Sequence, residues 1–140
     1  MANASSKDER VAREDFTERY SVDRTSLLDD IERRVIGDVW GANGFTTVEQ
    51  ADTLGAYLDL DNDSSLLDVG TGLGWPGLYL AKRSGCRVVI TDLPFDGLTI
   101  ARRRAGREGI DLIGATVGSA RRLPFKGSVF DGVVHTDVLC

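Results

Sequence analysis

Histidine, cysteine and methionine are scarce in this sequence, with one, two and one respectively among 140 residues. The cysteines, Cys86 and Cys140, form no CxxC pair and have no metal-ligand spacing, so no metal is expected. Both read as inert small hydrophobes in a reduced compartment rather than as a disulfide. No run of 18 apolar residues occurs, which excludes a membrane-spanning helix. The opening stretch MANASSKDERVARED lacks the apolar core of a secretory signal, and a cytoplasmic protein is the resulting expectation. Basic residues are also in deficit, 17 against 22 acidic, for a net charge of −5. That balance argues against a general phosphate-backbone binder and against nucleic acid as a partner. Internal repeats and low-complexity linkers are absent.

What is present is an ordinary globular composition, 41% hydrophobic and 28% charged, at a length that suits one domain. The acid excess lies early: residues 1–50 carry 11 acidic and 7 basic side chains, residues 51–140 carry 11 and 10. Residues 1–14, small, polar and charged, read as a flexible tail. Residues 15–60 read as a helical cap. Within it Leu27, Leu28, Ile31 and Val35 recur at helical spacing, with Ser26 to cap the helix and Gly37 to end it. A Gly-rich turn carrying Trp40 and Phe45 follows. Thr47 and Gln50 then form a capping box for a helix with Val48, Ala51, Leu54 and Leu58 on one face.

Beyond the turn Asp61–Ser65, short apolar runs alternate with helical stretches. Strands are predicted at Leu66–Val69, Arg87–Thr91, Ala115–Gly118 and Val129–His135, with helices at about Pro76–Arg83 and Asp96–Glu108. Such alternation predicts an α/β, Rossmann-like parallel sheet with helices on both faces.

The informative stretch is LLDVGTGLGWPG, residues 66–77. A strand runs into glycines at alternate positions, and Pro76 suits the first turn of the next helix. Glycines there let the chain turn sharply and let a ligand approach the backbone. Two ligand readings compete. Gly72-x-Gly74-x-x-Gly77, with Asp92 about 20 residues on, matches the dinucleotide fingerprint. Asp68-x-Gly70-x-Gly72-x-Gly74 instead places a carboxylate inside the strand, where it is costly without a partner. A cationic ligand such as S-adenosylmethionine supplies that partner, whereas a pyrophosphate is repelled by it. Asp92, ending VVITD, suits the ribose hydroxyls of either nucleoside.

With LLDVGTGLGWPGLYLA (66–81), VVITDLP (88–94) and GSARRLPFKGSVFDGVVHTDVL (118–139), the sequence resembles the class I S-adenosylmethionine-dependent methyltransferases of small-molecule and lipid type, over about residues 40–140. The resemblance implies that S-adenosylmethionine is the cofactor and that residues 61–140 bind it. The backbone around Gly70, Thr71, Gly72 and Gly74 would hold its methionine end, and Asp68 would help orient its amino group. Asp92 would bind the ribose hydroxyls, Leu93 would pack on the adenine, and Ser119 and Ala120 would contact the adenine edge. His135 would lie near the reacting methyl. The sequence departs from the family at Ser119, where an acidic residue often accepts a bond from the adenine amino group. Residues 40–50 look like the segment that covers the cofactor in such enzymes.

His135 and Asp137 are the candidate general bases. Arg102, Arg103, Arg104 and Arg107 read as a solvated helix face. Family members continue past a fourth strand, so the chain is expected to be a partial one, with the C-terminal part of the sheet missing. The expected reaction is methyl transfer to a small-molecule or lipid-like acceptor. A nicotinamide-dependent oxidoreductase and a non-catalytic, degenerate cofactor-binding module remain the alternatives.

Overall fold

Three helices precede the first strand in the computed structural model, which describes residues 6–138. Met1–Ser5 of the expected tail, and Cys140, lie outside the described residues.

Helix α1 (Lys7–Ser21) corrects the expectation of a flexible tail through residue 14 and of a helical cap that begins at residue 15. Ser6 Oγ accepts from Glu9 N–H while Glu9 Oε2 accepts from Ser6 N–H, a capping box that satisfies two free donors reciprocally. Periodicity did not reveal α1 because its inward face is short. Only Tyr20 is buried, and Phe16 one turn earlier is half-buried against it.

Helix α2 (Ser26–Ile36) is capped by Thr25 rather than Ser26, and Gly37 ends it in the left-handed conformation, as its sequence indicates. Its faces are reversed relative to the apolar pattern. Leu27, Leu28, Ile31 and Val35 are exposed, while Glu32 and Ile36 point inward. Helix α3 (Val48–Leu58) carries the expected Thr47/Gln50 capping box and buries Ala51.

The sheet is parallel throughout, in the order β3-β2-β1-β4. Its strands are β1 (Ser65–Val69), β2 (Arg87–Asp92), β3 (Leu112–Val117) and β4 (Gly132–His135), joined through α4 (Gly77–Ser84) and α5 (Phe95–Glu108). Strand β3 begins three residues before its predicted start, with a register irregularity opposite Val88/Val89. Strand β4 begins three residues after its predicted start. Asp131 just before it accepts from both the backbone N–H and the hydroxyl of Ser65, pinning β4 to the start of β1.

Helices cover one face of this sheet. Leu66, Val88, Ile90 and Val134 pack there against Leu78, Leu98 and Ala101. The expectation of helices on both faces is met on that face alone among the described residues. Leu67, Val69 and Val89, pointing the other way, are covered by Leu123, Phe125 and Phe130 of the β3–β4 connection. Chain order reverses between β1 and β4, so the crevice at their C-terminal ends is the topological switch point where open α/β sheets bind ligands. No described helix is long and apolar enough to cross a membrane.

Candidate active site

The crevice is a cavity of about 590 Å³, within the range of small-molecule sites. Its floor is the loop after β1. Gly70 and Gly72 adopt φ of +74° and +57°, a region costly for other residues, and the loop folds back onto β2. The N–H groups of Gly70 and Thr71 both donate to the Thr91 carbonyl, at 2.8 and 3.1 Å. Asp92 holds the next residue: its Oδ2 accepts from Gly72 N–H at 2.6 Å and its Oδ1 from Leu93 N–H at 2.7 Å. Burial raises the Asp92 carboxyl above its usual range, against the two backbone donors that lower it.

Asp68 lies behind this loop, not in the cavity. It is fully buried, and its Oδ2 accepts from Thr71 Oγ1 at 2.6 Å and from Gly77 N–H at 2.9 Å. Desolvation pushes its carboxyl up to about 7. The chain itself thus supplies partners for Oδ2, while Oδ1 is buried with no hydrogen-bond partner among the described residues. Gly77 is required by the same contact, since a Cβ there would sit 2.4 Å from Asp68 Oδ2. This accounts for the third glycine of the dinucleotide pattern without a pyrophosphate. The helix N–H that such a ligand would use is already taken by a carboxylate.

Among the other expected ligand residues, Gly70, Thr71, Gly72, Asp92, Leu93, Ser119 and Ala120 line the cavity. Gly74 does not. A Cβ on it would meet Leu78 at 2.5 Å, so it serves the packing of α4. His135 does not line the cavity either: it is exposed, paired in register with Val69 on the sheet face away from α4. Asp137 does line it, and its Oδ2 accepts from Phe45 N–H and Thr46 Oγ1 at 3.2 and 3.0 Å, tying loop 41–46 to the end of β4.

The opposite wall is built by α1 and loop 40–44; the sequence pointed to residues 40–50 as a covering segment, and the contribution of α1 was missed. Tyr20 lies over the glycine loop, its hydroxyl 3.1 Å from where a Cβ on Gly72 would be. Burial raises its phenol, the Asp92 charge adds to that, and a hydrogen bond to Asn43 opposes it. Gly97 of α5 makes room for the Tyr20 ring. Loop 40–44 hangs from buried Glu32, whose Oε1 accepts from Trp40 N–H and Ala42 N–H at 2.9 and 2.8 Å and whose Oε2 pairs with Arg24. Arg104 corrects the solvated-face reading of its arginine run. It is half-buried, donates to the Trp40 carbonyl at 2.9 Å and stacks over the Trp40 ring at 4.7 Å. The legible trace of this wall was Ser6-x-x-Glu9 with Phe16 and Tyr20 one turn apart.

A sheet-end crevice with a glycine loop and a carboxylate at the tip of the second strand is the arrangement in which open α/β sheets bind nucleoside ligands. Residues 66–140, more than half of the chain, match the family model for a methyltransferase domain, and the chain belongs to that family. It is 32% identical over 77 residues to the methyltransferase GfsG of Streptomyces halstedii, a match covering 54% of this chain and 28% of the relative. The structure of magnesium protoporphyrin IX methyltransferase from Synechocystis PCC 6803 aligns over 99% of this chain and 65% of that one, with a TM-score of 0.65 and 19% identity. The S-adenosylmethionine-dependent methyltransferase from Thiobacillus denitrificans, in complex with S-adenosyl-L-homocysteine, aligns over 71% of this chain and 38% of that one, with a TM-score of 0.50 and 26% identity. The chain spans less than a third of the length of the curated relatives it matches.

Proposed function

We propose that this chain is the cofactor-binding part of an S-adenosylmethionine-dependent methyltransferase acting on a small-molecule or lipid-like acceptor. The observation that carries this reading is Asp92. It faces the cavity from the tip of β2 and anchors the glycine loop through Gly72, and each of its oxygens keeps a lone pair for a ribose hydroxyl. When bound, S-adenosylmethionine supplies an electrophilic methyl group. The chain's own residues bind and orient. Gly70, Thr71 and Gly72 approach the methionine end with bare backbone, and Asp68 stiffens that loop from behind through Thr71 and Gly77. Leu93 packs on the base, and Ser119 and Ala120 border its edge. Tyr20, Phe16 and loop 40–44 close the site against water, which favours alignment of a nucleophile with the methyl carbon.

Asp137 lines the cavity beside Asn43 and Gly44 and is the candidate base on the acceptor side, whereas His135 lies outside the cavity. The apolar side chains of Phe16, Leu73 and Val138 in the lining favour an acceptor with apolar character. Helices α1–α3 form the cap, and residues 61–140 form the cofactor domain. Cys86, a buried free thiol, suits a reducing cytoplasm.

Calorimetric titration with S-adenosylhomocysteine and, separately, NADH tests the assignment. Micromolar binding of the first, absent for the second and lost in Asp92→Ala, is the expected result. Binding of NADH in preference would sink the reading.

A further inference from the structure

Helix α2 turns its apolar side away from the protein. Leu27, Leu28, Ile31 and Val35 are 66%, 42%, 48% and 51% exposed, while Glu32 and Ile36 point inward. At 100° per residue the four apolar side chains fall within about 100° of arc, so they form one contiguous stripe rather than scattered exposures. The stripe is symmetric along the helix, with Leu27 and Val35 four residues to either side of Ile31. Asp30 and Arg34, both exposed, border it on the side away from the core. Asp30 pairs with Arg33 at 3.0 Å, and Arg34 has no ion pair among the described residues.

We propose that this stripe joins two copies of the chain, with their α2 helices antiparallel and a two-fold axis at Ile31. A two-fold axis lays a surface on itself, so that surface must be its own complement. Antiparallel pairing about Ile31 sets Leu27 of each copy against the other copy's Val35. It also keeps the charged borders of both helices on the same side of the seam. With a rise of 1.5 Å per residue, Arg34 then lies about 3 Å along the axis from the other copy's Asp30, and symmetry repeats the pair. The arrangement therefore gives the unpaired Arg34 a carboxylate. A lipid surface fits less well. Helices that lie on membranes border their apolar face with Lys and Arg, whereas α2 carries Asp29 and Asp30 near its start and the chain has a net charge of −5. Four partly exposed side chains per copy fall short of the roughly 800 Å² per partner of a standard interface, so the pairing is weak.

Sedimentation velocity of the full chain from about 5 to about 500 μM spans the expected association, with a dissociation constant on the order of 100 μM. The weight-average mass should rise from 15.2 kDa toward twice that value. Ile31→Glu sets two carboxylates against each other on the axis and should leave a monomer at every concentration, with the circular dichroism of the wild type. Asp30→Arg and Arg34→Asp should each weaken pairing by about fivefold, and the double variant, which restores opposite charges across the seam, should recover it. A wild type that stays monomeric, or pairing that survives Ile31→Glu, overturns the proposal. So do single charge variants that pair as the wild type does, or a double variant that does not recover. Flotation with vesicles of phosphatidylcholine and phosphatidylglycerol covers the other occupant: a chain monomeric in solution that binds them, and loses that binding in Ile31→Glu, overturns the second copy in favour of lipid.

Discussion

Removing the Glu32 carboxylate should loosen one wall of the site without touching any ligand. In Glu32→Ala the N–H groups of Trp40 and Ala42 lose their shared acceptor. Trp40 is only 5% exposed, so its N–H stays dry and unsatisfied, at a cost of about 1–3 kcal/mol. Ala42 is half-buried and can recruit water, which costs roughly 1 kcal/mol or less. The Arg24 pair adds little, because Arg24 is about a third exposed and its ion pair is screened. The sum is about 1–4 kcal/mol. At roughly 3–5 °C per kcal/mol for a chain of this size, Tm should fall by about 3–20 °C. Glu32→Gln keeps an oxygen for both N–H groups and should stay within about 1 kcal/mol of wild type. Thermal melts of the three proteins, with S-adenosylhomocysteine titrations below the lower Tm, separate the cases. Weakened binding in Glu32→Ala with recovery in Glu32→Gln is expected. Equal losses in both variants, or no loss in either, would refute the role given to the hanging of loop 40–44.

Asp68 holds a proton in the folded state up to about pH 7 that the unfolded chain, with an ordinary value of 3.8, releases earlier. Its contribution to stability therefore declines as pH rises from about 4 to 7. The Tm of wild type minus that of Asp68→Asn should fall across that window and flatten above it. Asp92, also raised, is present in both proteins, and the difference includes its charge interaction with Asp68. A Cβ on Gly97 would lie 2.8 Å from the Gly72 carbonyl oxygen and 2.9 Å from Tyr20 Cε2, so Gly97→Ala should push α1 outward. The expected cost is about 1–3 kcal/mol in denaturant melts, with weaker S-adenosylhomocysteine binding; wild-type values for both would contradict the packing described. His135→Ala should bind S-adenosylhomocysteine as wild type does in calorimetry, because the side chain lies on the far face of the sheet.

Much of the sheet was legible because its rules are local. Leu66–Val69 and Arg87–Thr91 are apolar runs bounded by turn residues, and both became central strands shifted by one residue at one end. Strand β3, on the sheet edge, was harder. Its Leu112-Ile-Gly-Ala-Thr-Val run is half-exposed, so the apolar signal that marks a buried parallel strand is diluted at its start. Helix α2 was found and its faces were misread. Periodicity reports that one side of a helix is apolar, but which side meets the core depends on a partner elsewhere in the chain. Here that partner is the Trp40 loop, whose N–H groups require a carboxylate.

Turn chemistry and strand–helix alternation are short-range properties, so the glycine loop, the Asp92 position and the parallel order of the fold can be read from consecutive residues. The environment of each carboxylate cannot. Asp68 and Asp92 look alike in the sequence as acids near strand ends, yet one is sealed behind the loop by Thr71 and Gly77 and the other opens on the cavity. His135 and Asp137 are two residues apart, and the alternation of the strand and the turn that follows it put only the second in the site. Glu9 meets Ser119 across 110 positions because α1 docks on a glycine notch in α5. Contacts of that range arise when the chain closes on itself, and burial and hydrogen bonding then assign to each acid a charge state and a task that its neighbours in sequence do not carry.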